Sequence, residues 1–259
     1  MSVEGKVAFV TGAAQGIGQA IAVRLAEDGF DLALLDLSED RLDETKAQVE
    51  ALGRKVVTLG GDVSQKAQIE SAVEKTVQEL GDLHVMINNA GIAGVSAVED
   101  ITEADFDRTV AINLKGTLFG IQVAAKKFKE LGHGGKILVA TSIAAHESFP
   151  MIGLYAATKF GARALISAAA QELGAFGITV NGYSPGVVGT GLWTQLDRDF
   201  AELTGAAEGE TFKKYVKGIT LGRASVPEDV AKFVSFLSGP DSDYMTGQTP
   251  LIDGGMVFR

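Results

Sequence analysis

Apolar residues along this chain fall into short unbroken runs that alternate with longer stretches of helical spacing. Lys6 to Thr11 (KVAFVT) is a run of the first kind, and Gly16 to Asp28 follows with Ile17, Ile21, Val23, Leu25 and Ala26 set along one helical face. Asp31 to Leu35 (DLALL) predicts a second strand ending in Asp36. Ser38 is placed to cap the next helix, which runs to about Leu52 and stops at Gly53. Lys55 to Leu59 predicts a third strand, Gln65 to Leu80 a helix closed by Gly81, and His84 to Ile87 a fourth strand leading into Asn88-Asn89-Ala90-Gly91. Glu103 to Leu131 reads as helical, either throughout or as a short helix followed by a long one. Lys136 to Ala140 predicts a fifth strand, Gly153 to Leu173 a long helix, and Ile178 to Gly182 a sixth strand. Glu228 to Leu237 is a further helix with Pro227 at its first turn, and Thr249 to Ile252 a last strand. Strands that are apolar without alternation are buried on both faces, so the βαβ rhythm predicts an α/β protein with a parallel sheet covered on both sides.

One stretch breaks the rhythm. Residues 189–218 hold Trp193, the charged segment Asp197 to Glu202 and the glycine-interrupted Thr204 to Gly209. Two readings fit: a cover over a site, or a helical insertion packed on the surface. Neither a repeat nor a low-complexity linker divides the chain, so residues 1–259 are expected to form a single domain.

Composition narrows the chemistry. The chain has 259 residues, with 23 Lys and Arg against 33 Asp and Glu, a formal charge of −10. Without a concentrated basic patch, nucleic acid and anionic membrane surfaces are poor partners. There is no cysteine, which removes disulfides, thiolate nucleophiles and cysteine metal sites. No long uncharged apolar segment and no basic leader stand out, so a soluble cytoplasmic protein is expected. Glycine is the excess: 32 residues, about 12% against an average near 7%.

Several of those glycines sit where chemistry is expected. The strand ending at Thr11 runs into Gly12-Ala13-Ala14-Gln15-Gly16-Ile17-Gly18 and then a helix, the arrangement that brings backbone amides against a diphosphate. Asp36, 18 residues beyond Gly18, can accept hydrogen bonds from an adenosine ribose and would repel a 2′-phosphate. Gln15 and Leu37 offer no positive charge to offset that repulsion, so NAD is expected over NADP; a solvated acid at a strand end is the plainer alternative. Asp62, Val63, Asn89, Ala90 and Gly91 follow the third and fourth strands, where a parallel sheet binds its ligands. Asp62 could accept the adenine amino group and Val63 lie against the ring, while Asn88 could bridge neighbouring strands.

Tyr155 and Lys159 are four apart on a predicted helix and share a face, which Ser142 at the end of the fifth strand can meet. An ammonium group beside a phenol lowers its pKa from near 10 toward useful acid-base strength. On spacing alone, such a pair also fits ordinary helix neighbours.

Taken together, Thr11-Gly12-Ala13-Ala14-Gln15-Gly16-Ile17-Gly18, Asp62, Asn88-Asn89-Ala90-Gly91, Asn113, Ser142, Tyr155 to Lys159 and Pro185 to Thr190 resemble the short-chain dehydrogenase/reductase family over essentially the whole chain. The resemblance implies a Rossmann-type doubly wound parallel sheet of seven strands with helices on both faces, and an NAD-dependent oxidoreductase. It implies that Tyr155 exchanges a proton with the substrate oxygen, Ser142 hydrogen-bonds that oxygen, and Lys159 holds the nicotinamide ribose. Asn113 would anchor a water that links Lys159 to solvent. Ile92, Pro185, Gly186, Val188 and Thr190 would frame the nicotinamide. A homo-oligomer, a tetramer or in some members a dimer, is implied as well.

Within the family, Phe119 to Gln122, Gly132 to Ile137, Gly177 to Tyr183, Ile219 to Arg223, Pro240 to Gln248 and Leu251 to Phe258 resemble the group that interconverts diacetyl, acetoin and 2,3-butanediol. Ile143, Phe149, Gly186, Leu192 and Trp193, with Ser142 and Tyr155, would wall a small substrate pocket. Apolar Ile143 and Phe149 resemble the L-type variant, which handles (S)-configured alcohol centres; polar residues there resemble meso-type enzymes. A polyol or secondary-alcohol dehydrogenase and a 3-oxoacyl reductase share the machinery and remain alternatives. So does a nucleotide-binding protein that is not an enzyme. His84, His133 and His146 have no metal-ligand spacing, and no metal is expected; His146 is either a solvated loop residue or a substrate contact.

Overall fold

In the computed structural model, which describes residues 3–258, the apolar runs become strands, and those at the centre of the sheet are buried on both faces. β1 (Val7–Thr11) is buried along its whole length. Phe9 points into one layer of side chains and Ala8 and Val10 into the other, so a one-residue slip would exchange a large ring for small groups. β2 (Asp31–Asp36), β3 (Val56–Gly60), β4 (Val85–Asn88), β5 (Gly135–Ala140), β6 (Ile178–Pro185) and β7 (Leu251–Ile252) complete a sheet of order β3-β2-β1-β4-β5-β6-β7. Every neighbouring pair is parallel. The chain builds outward from β1 to β3, returns to the far side of β1 at β4, and builds outward again. That reversal leaves a crevice beyond the C-terminal ends of β1 and β4.

Helices cover both faces. α1 (Gly16–Glu27), α2 (Asp43–Ala51) and α9 (Pro227–Ser238) pack on one side through Ile21, Leu25, Val49, Val230 and Val234. α3 (Lys66–Leu80), α5 (Gly116–Leu131) and α6 (Gly153–Leu173) pack on the other through Ile69, Val73, Ile121, Phe128 and Ile166. Each such side chain contributes about 1.5–3 kcal/mol by leaving water, which fixes the strand ends where ligands must bind.

Four local expectations change. Ser38 makes no capping hydrogen bond; the chain enters α2 through a 3₁₀ turn, Glu39–Leu42, whose backbone leads straight into the helix. The helical stretch from Glu103 is α4 (Glu103–Val110), a π turn (Ala111–Lys115) and α5, with Asn113 on the π turn. β6 extends to Pro185 because Ser184 and Pro185 pair with β7, while Gln248 and Pro250 accept single hydrogen bonds from Gly182 and Ser184 outside the short ladder. Asn88 bridges no strands through its side chain: Oδ1 lies where a Cβ on Gly120 would stand, and Nδ2 has no partner among the described residues. The excursion at 189–218 folds as two helices, α7 (Gly191–Thr204) and α8 (Glu210–Lys217). Among the described residues no helix is long and apolar enough to cross a membrane.

Candidate active site

At the crevice, β1, β2 and β3 end in a cleft of about 470 Å³. Gly12 has φ +66, and a Cβ there would stand 2.9 Å from the Ala90 Cα; a Cβ on Gly18 would stand 2.0 Å from the Gly12 carbonyl oxygen. Only glycines let this loop lie so close to β4 and to its own helix. α1 starts at Gly16 with no side-chain cap from Gln15, so its first-turn amides keep their capacity for an anion at the cleft wall formed by Gly16, Ile17 and Gly18. Asn89 fastens the loop from the other side, its Nδ2 donating to the carbonyls of Thr11 and Gly12 at 3.1 and 3.2 Å. The amides of Asn89 and Ala90 both donate to the Thr11 hydroxyl, which ties the start of the segment ending in Gly91 to β1.

Asp36, Asp62 and Val63 line the far end of the same cleft. The Asp36 carboxylate accepts the amides of Ala14 and Leu37 at 3.2 and 2.9 Å, which aims it along the end of β2. It also meets a cation that local reading of Gln15 and Leu37 overlooks: the Arg41 Nε is 3.2 Å from Asp36 Oδ1, and Arg41 lines the cleft. One oxygen of Asp62 accepts the Ser64 amide at 2.8 Å. A glycine turn with available amides at one end and an acceptor carboxylate at the other fits a dinucleotide, diphosphate at α1 and ribose diol at Asp36.

Beyond Gly91 the cleft continues into a smaller cavity of about 130 Å³, and Ile17, Asn89, Gly91, Ile92, Thr190 and Leu192 line both. Pro185, Gly186 and Val188 form its floor near β6, and Ser142, Tyr155 and Lys159 its reactive side. Ser142 follows β5 and caps the turn Ile143–Ala145, its Oγ accepting the Ala144 amide at 3.1 Å. Tyr155 and Lys159 face it from the first turns of α6, with the Lys159 Nζ 5.6 Å from the centre of the Tyr155 ring. Burial pushes the Tyr155 phenol up, and the hydrogen bond from Ser142 pulls against it. Lys159 is buried with its Nζ donating to the Ala140 carbonyl at 2.7 Å, and loss of solvent pushes its pKa down from 10.5 to about 8. A phenol held protonated beside a hydroxyl and an amine can give a proton to an oxygen placed between them.

Asn113 is absent from the wall of either cavity. Its Oδ1 accepts the Ile92 amide at 2.9 Å, and its Nδ2 donates to the Ile92 carbonyl at 2.8 Å and the Thr158 hydroxyl at 3.2 Å. It thereby joins the loop after β4 to α6 directly behind Lys159. The π turn opens one extra residue in the helix at that point.

Ile143, Phe149, Gly186, Leu192 and Trp193 all line the small cavity, as their sequence positions predict. Ile152, Leu196, Phe200 and Tyr215 line it too and escaped that prediction. Trp193, Leu196 and Phe200 recur at helical spacing on α7, a signal that was available, whereas Tyr215 arrives only because α8 folds back. The buried Asp197 carboxylate accepts the amides of Gly209 and, at 2.8 Å, Phe212, and so sets the start of α8 against α7. His146 points elsewhere, its Nε2 3.0 Å from the buried Ser184 hydroxyl.

Comparison with known proteins agrees with this geometry. A family model described as short chain dehydrogenase matches residues 6–200. An L-2,3-butanediol dehydrogenase of Corynebacterium glutamicum is 49% identical, covering 98% of this chain and 99% of that one. A diacetyl reductase of Staphylococcus epidermidis, described as (S)-acetoin forming, is 46% identical with 98% and 99% covered. Among solved structures, carveol dehydrogenase from Mycobacterium avium in complex with NAD superposes with a TM-score of 0.92 at 30% identity, covering 98% of each chain.

Proposed function

This chain belongs to the short chain dehydrogenase family, and on that premise we propose that it interconverts diacetyl, acetoin and 2,3-butanediol with NAD(H), forming (S)-configured alcohol centres. It is an NAD(H)-dependent oxidoreductase of small ketones and alcohols. The observation that carries the finer reading is the cavity of about 130 Å³: its reactive hydroxyls, Ser142 and Tyr155, sit at one side and its remaining wall is largely apolar. Such a cavity suits a substrate with methyl ends and a reactive oxygen. The longer chain of a polyol would leave its extra hydroxyls facing Ile143, Phe149 and Trp193 without partners, which costs more than a missing contact. The two relatives named above, a 2,3-butanediol dehydrogenase and an acetoin-forming reductase, support the same choice.

Gly12, Gly16 and Gly18 would receive the diphosphate, Asp36 the adenosine ribose, and Lys159 with Thr190 the nicotinamide end. The bound nicotinamide supplies or accepts the hydride. Ser142 donates a hydrogen bond to the substrate oxygen and fixes its direction. Tyr155, held protonated by burial, gives that oxygen its proton in reduction and recovers it in oxidation. A cation beside the phenol favours its ionised form, which is the direction oxidation needs. Asp36 favours NAD over NADP through charge repulsion, and Arg41 softens that repulsion without supplying the acceptor a ribose diol needs. The assembly proposed is a homotetramer, supported by exposed Phe160 on α6 and Phe236 on α9, with its mass to be read by light scattering.

Steady-state assays test the reading. Purified protein should reduce diacetyl and acetoin with NADH at a kcat/KM at least about tenfold above that with NADPH, and above that for xylitol oxidation or a 3-oxoacyl thioester. Preference for a polyol, or for NADPH with a thioester, would assign the site to one of those substrates instead.

A further inference from the structure

The aromatic side of the substrate cavity is built by four rings, and one of them stands at its centre. Tyr215 lies 5.4 Å from Trp193, 6.3 Å from Phe149 and 6.3 Å from Phe200, centre to centre, with tilted or edge-on geometry throughout. Phe149 and Trp193 line the substrate cavity. Tyr215 and Phe200 also line an outer groove of about 490 Å³, which Met151, Lys214 and Met256 help to form. The two spaces are thus separated by this pair of rings. Phe200 is buried on α7, whereas Tyr215 is half-buried and belongs to a helix, α8, that has no buried residue.

We propose that the Tyr215 ring sets the chain-length limit of the substrate: it partitions the cavity beside Ser142 and Tyr155 from the outer groove, and its removal opens the site to longer ketones. This rests on the reading that the cavity takes the small ketone. The ring forms the partition: Tyr215 packs on Trp193, Phe149 and Phe200 ring against ring, and its hydroxyl has no hydrogen-bond partner among the described residues. α8 has further ties to α7, since Asp197 holds the amides of Gly209 and Phe212 and the Phe212 ring packs on Trp193 at 5.9 Å. Truncating Tyr215 therefore joins two spaces while the Asp197 hydrogen bonds and the Phe212–Trp193 packing still tie α8 to α7. A pocket that excludes one or two methylenes discriminates by roughly 10- to 200-fold, and this is the range the partition controls.

The test compares kcat/KM for diacetyl and for 3,4-hexanedione, which extends each end by one methylene, in the wild type, Tyr215→Phe, Tyr215→Leu and Tyr215→Ala. The ratio of the longer to the shorter diketone should rise by about tenfold or more in Tyr215→Ala, by less in Tyr215→Leu, and should stay at the wild-type value in Tyr215→Phe. A ratio unchanged in both Ala and Leu variants, or moved as far by Phe as by Ala, overturns the proposal. Melting temperature and NADH binding report whether each variant is folded; if Tyr215→Ala is not, Tyr215→Leu against Tyr215→Phe decides. If the wild type reduces neither diketone, the C4 reading fails on its own, and 2-butanone against 2-octanone reads the partition in the same four proteins.

Discussion

Replacing Lys159 by Met should make the nucleotide-free protein more stable while abolishing turnover. Lys159 is buried without a carboxylate beside it, and loss of solvent moves its pKa from 10.5 to about 8. At about 1.36 kcal/mol per pH unit, holding that charge costs the folded state about 3 kcal/mol at neutral pH. Methionine fills similar space without the charge. It forfeits the 2.7 Å hydrogen bond to the Ala140 carbonyl, worth about 1–2 kcal/mol once the acceptor is left unpaired. The net gain is about 1–2 kcal/mol, or roughly 2–8 °C in melting temperature for a chain of this length. The sign follows from proton binding. Between about pH 8 and 10.5 the unfolded chain holds this proton and the folded one does not, so wild-type stability rises with pH across that window. The advantage of the variant should be full below pH 8, shrink above it and reverse before pH 10.5, where the neutral amine carries no charge cost and the variant still lacks its hydrogen bond. Thermal and urea denaturation of both proteins at pH 7 and pH 10, without nucleotide, measure it. A variant that melts at or below the wild type at pH 7, or a gap equal at the two pH values, would refute the cost assigned to the buried ammonium.

Three further substitutions probe other parts of the site. Gly18→Ala places a Cβ 2.0 Å from the Gly12 carbonyl oxygen, so the loop must open at about 1–3 kcal/mol and the NADH Kd should rise about 10- to 100-fold by calorimetry; an unchanged Kd would contradict the close approach. Asp36→Ser removes the carboxylate and releases Arg41, and the NADH-to-NADPH ratio of kcat/KM should fall at least about tenfold, whereas a constant ratio would show that Asp36 does not face the ribose. Asp197→Ala strips the amides of Gly209 and Phe212 of their acceptor at about 1–3 kcal/mol. Because α8 has no buried residue, that loss should appear as a KM increase of about tenfold and faster hydrogen exchange over 205–218, with little change in melting temperature.

What could be read before the structure divides along a physical line. β1, β2 and β4 were legible because both of their faces are buried, which leaves continuous apolar runs that no surface strand shows. The glycine loop was legible because its requirement is a backbone one: Gly12 and Gly18 have no room for a Cβ, and nothing but glycine satisfies that. Ser142, Tyr155 and Lys159 were legible as a set only through resemblance, since a Tyr and a Lys four apart occur on many helix faces. The π turn at Ala111–Lys115 shifts backbone hydrogen bonds by one residue and leaves no mark in composition. Arg41 reaches Asp36 from the next turn of chain, and Tyr215 reaches the cavity only after Asp197 folds α8 back, so neither contact has a local signal.

The most direct measurement is the configuration of the alcohol made from diacetyl with NADH, resolved by chiral chromatography in the first turnovers. The resemblance of apolar Ile143 and Phe149 to the L-type variant predicts (S)-acetoin, followed on longer incubation by a diol carrying the same new centre. Predominantly (R)-acetoin would contradict the L-type reading of Ile143 and Phe149, and the absence of any NADH-dependent reduction of diacetyl would contradict the proposed substrate itself.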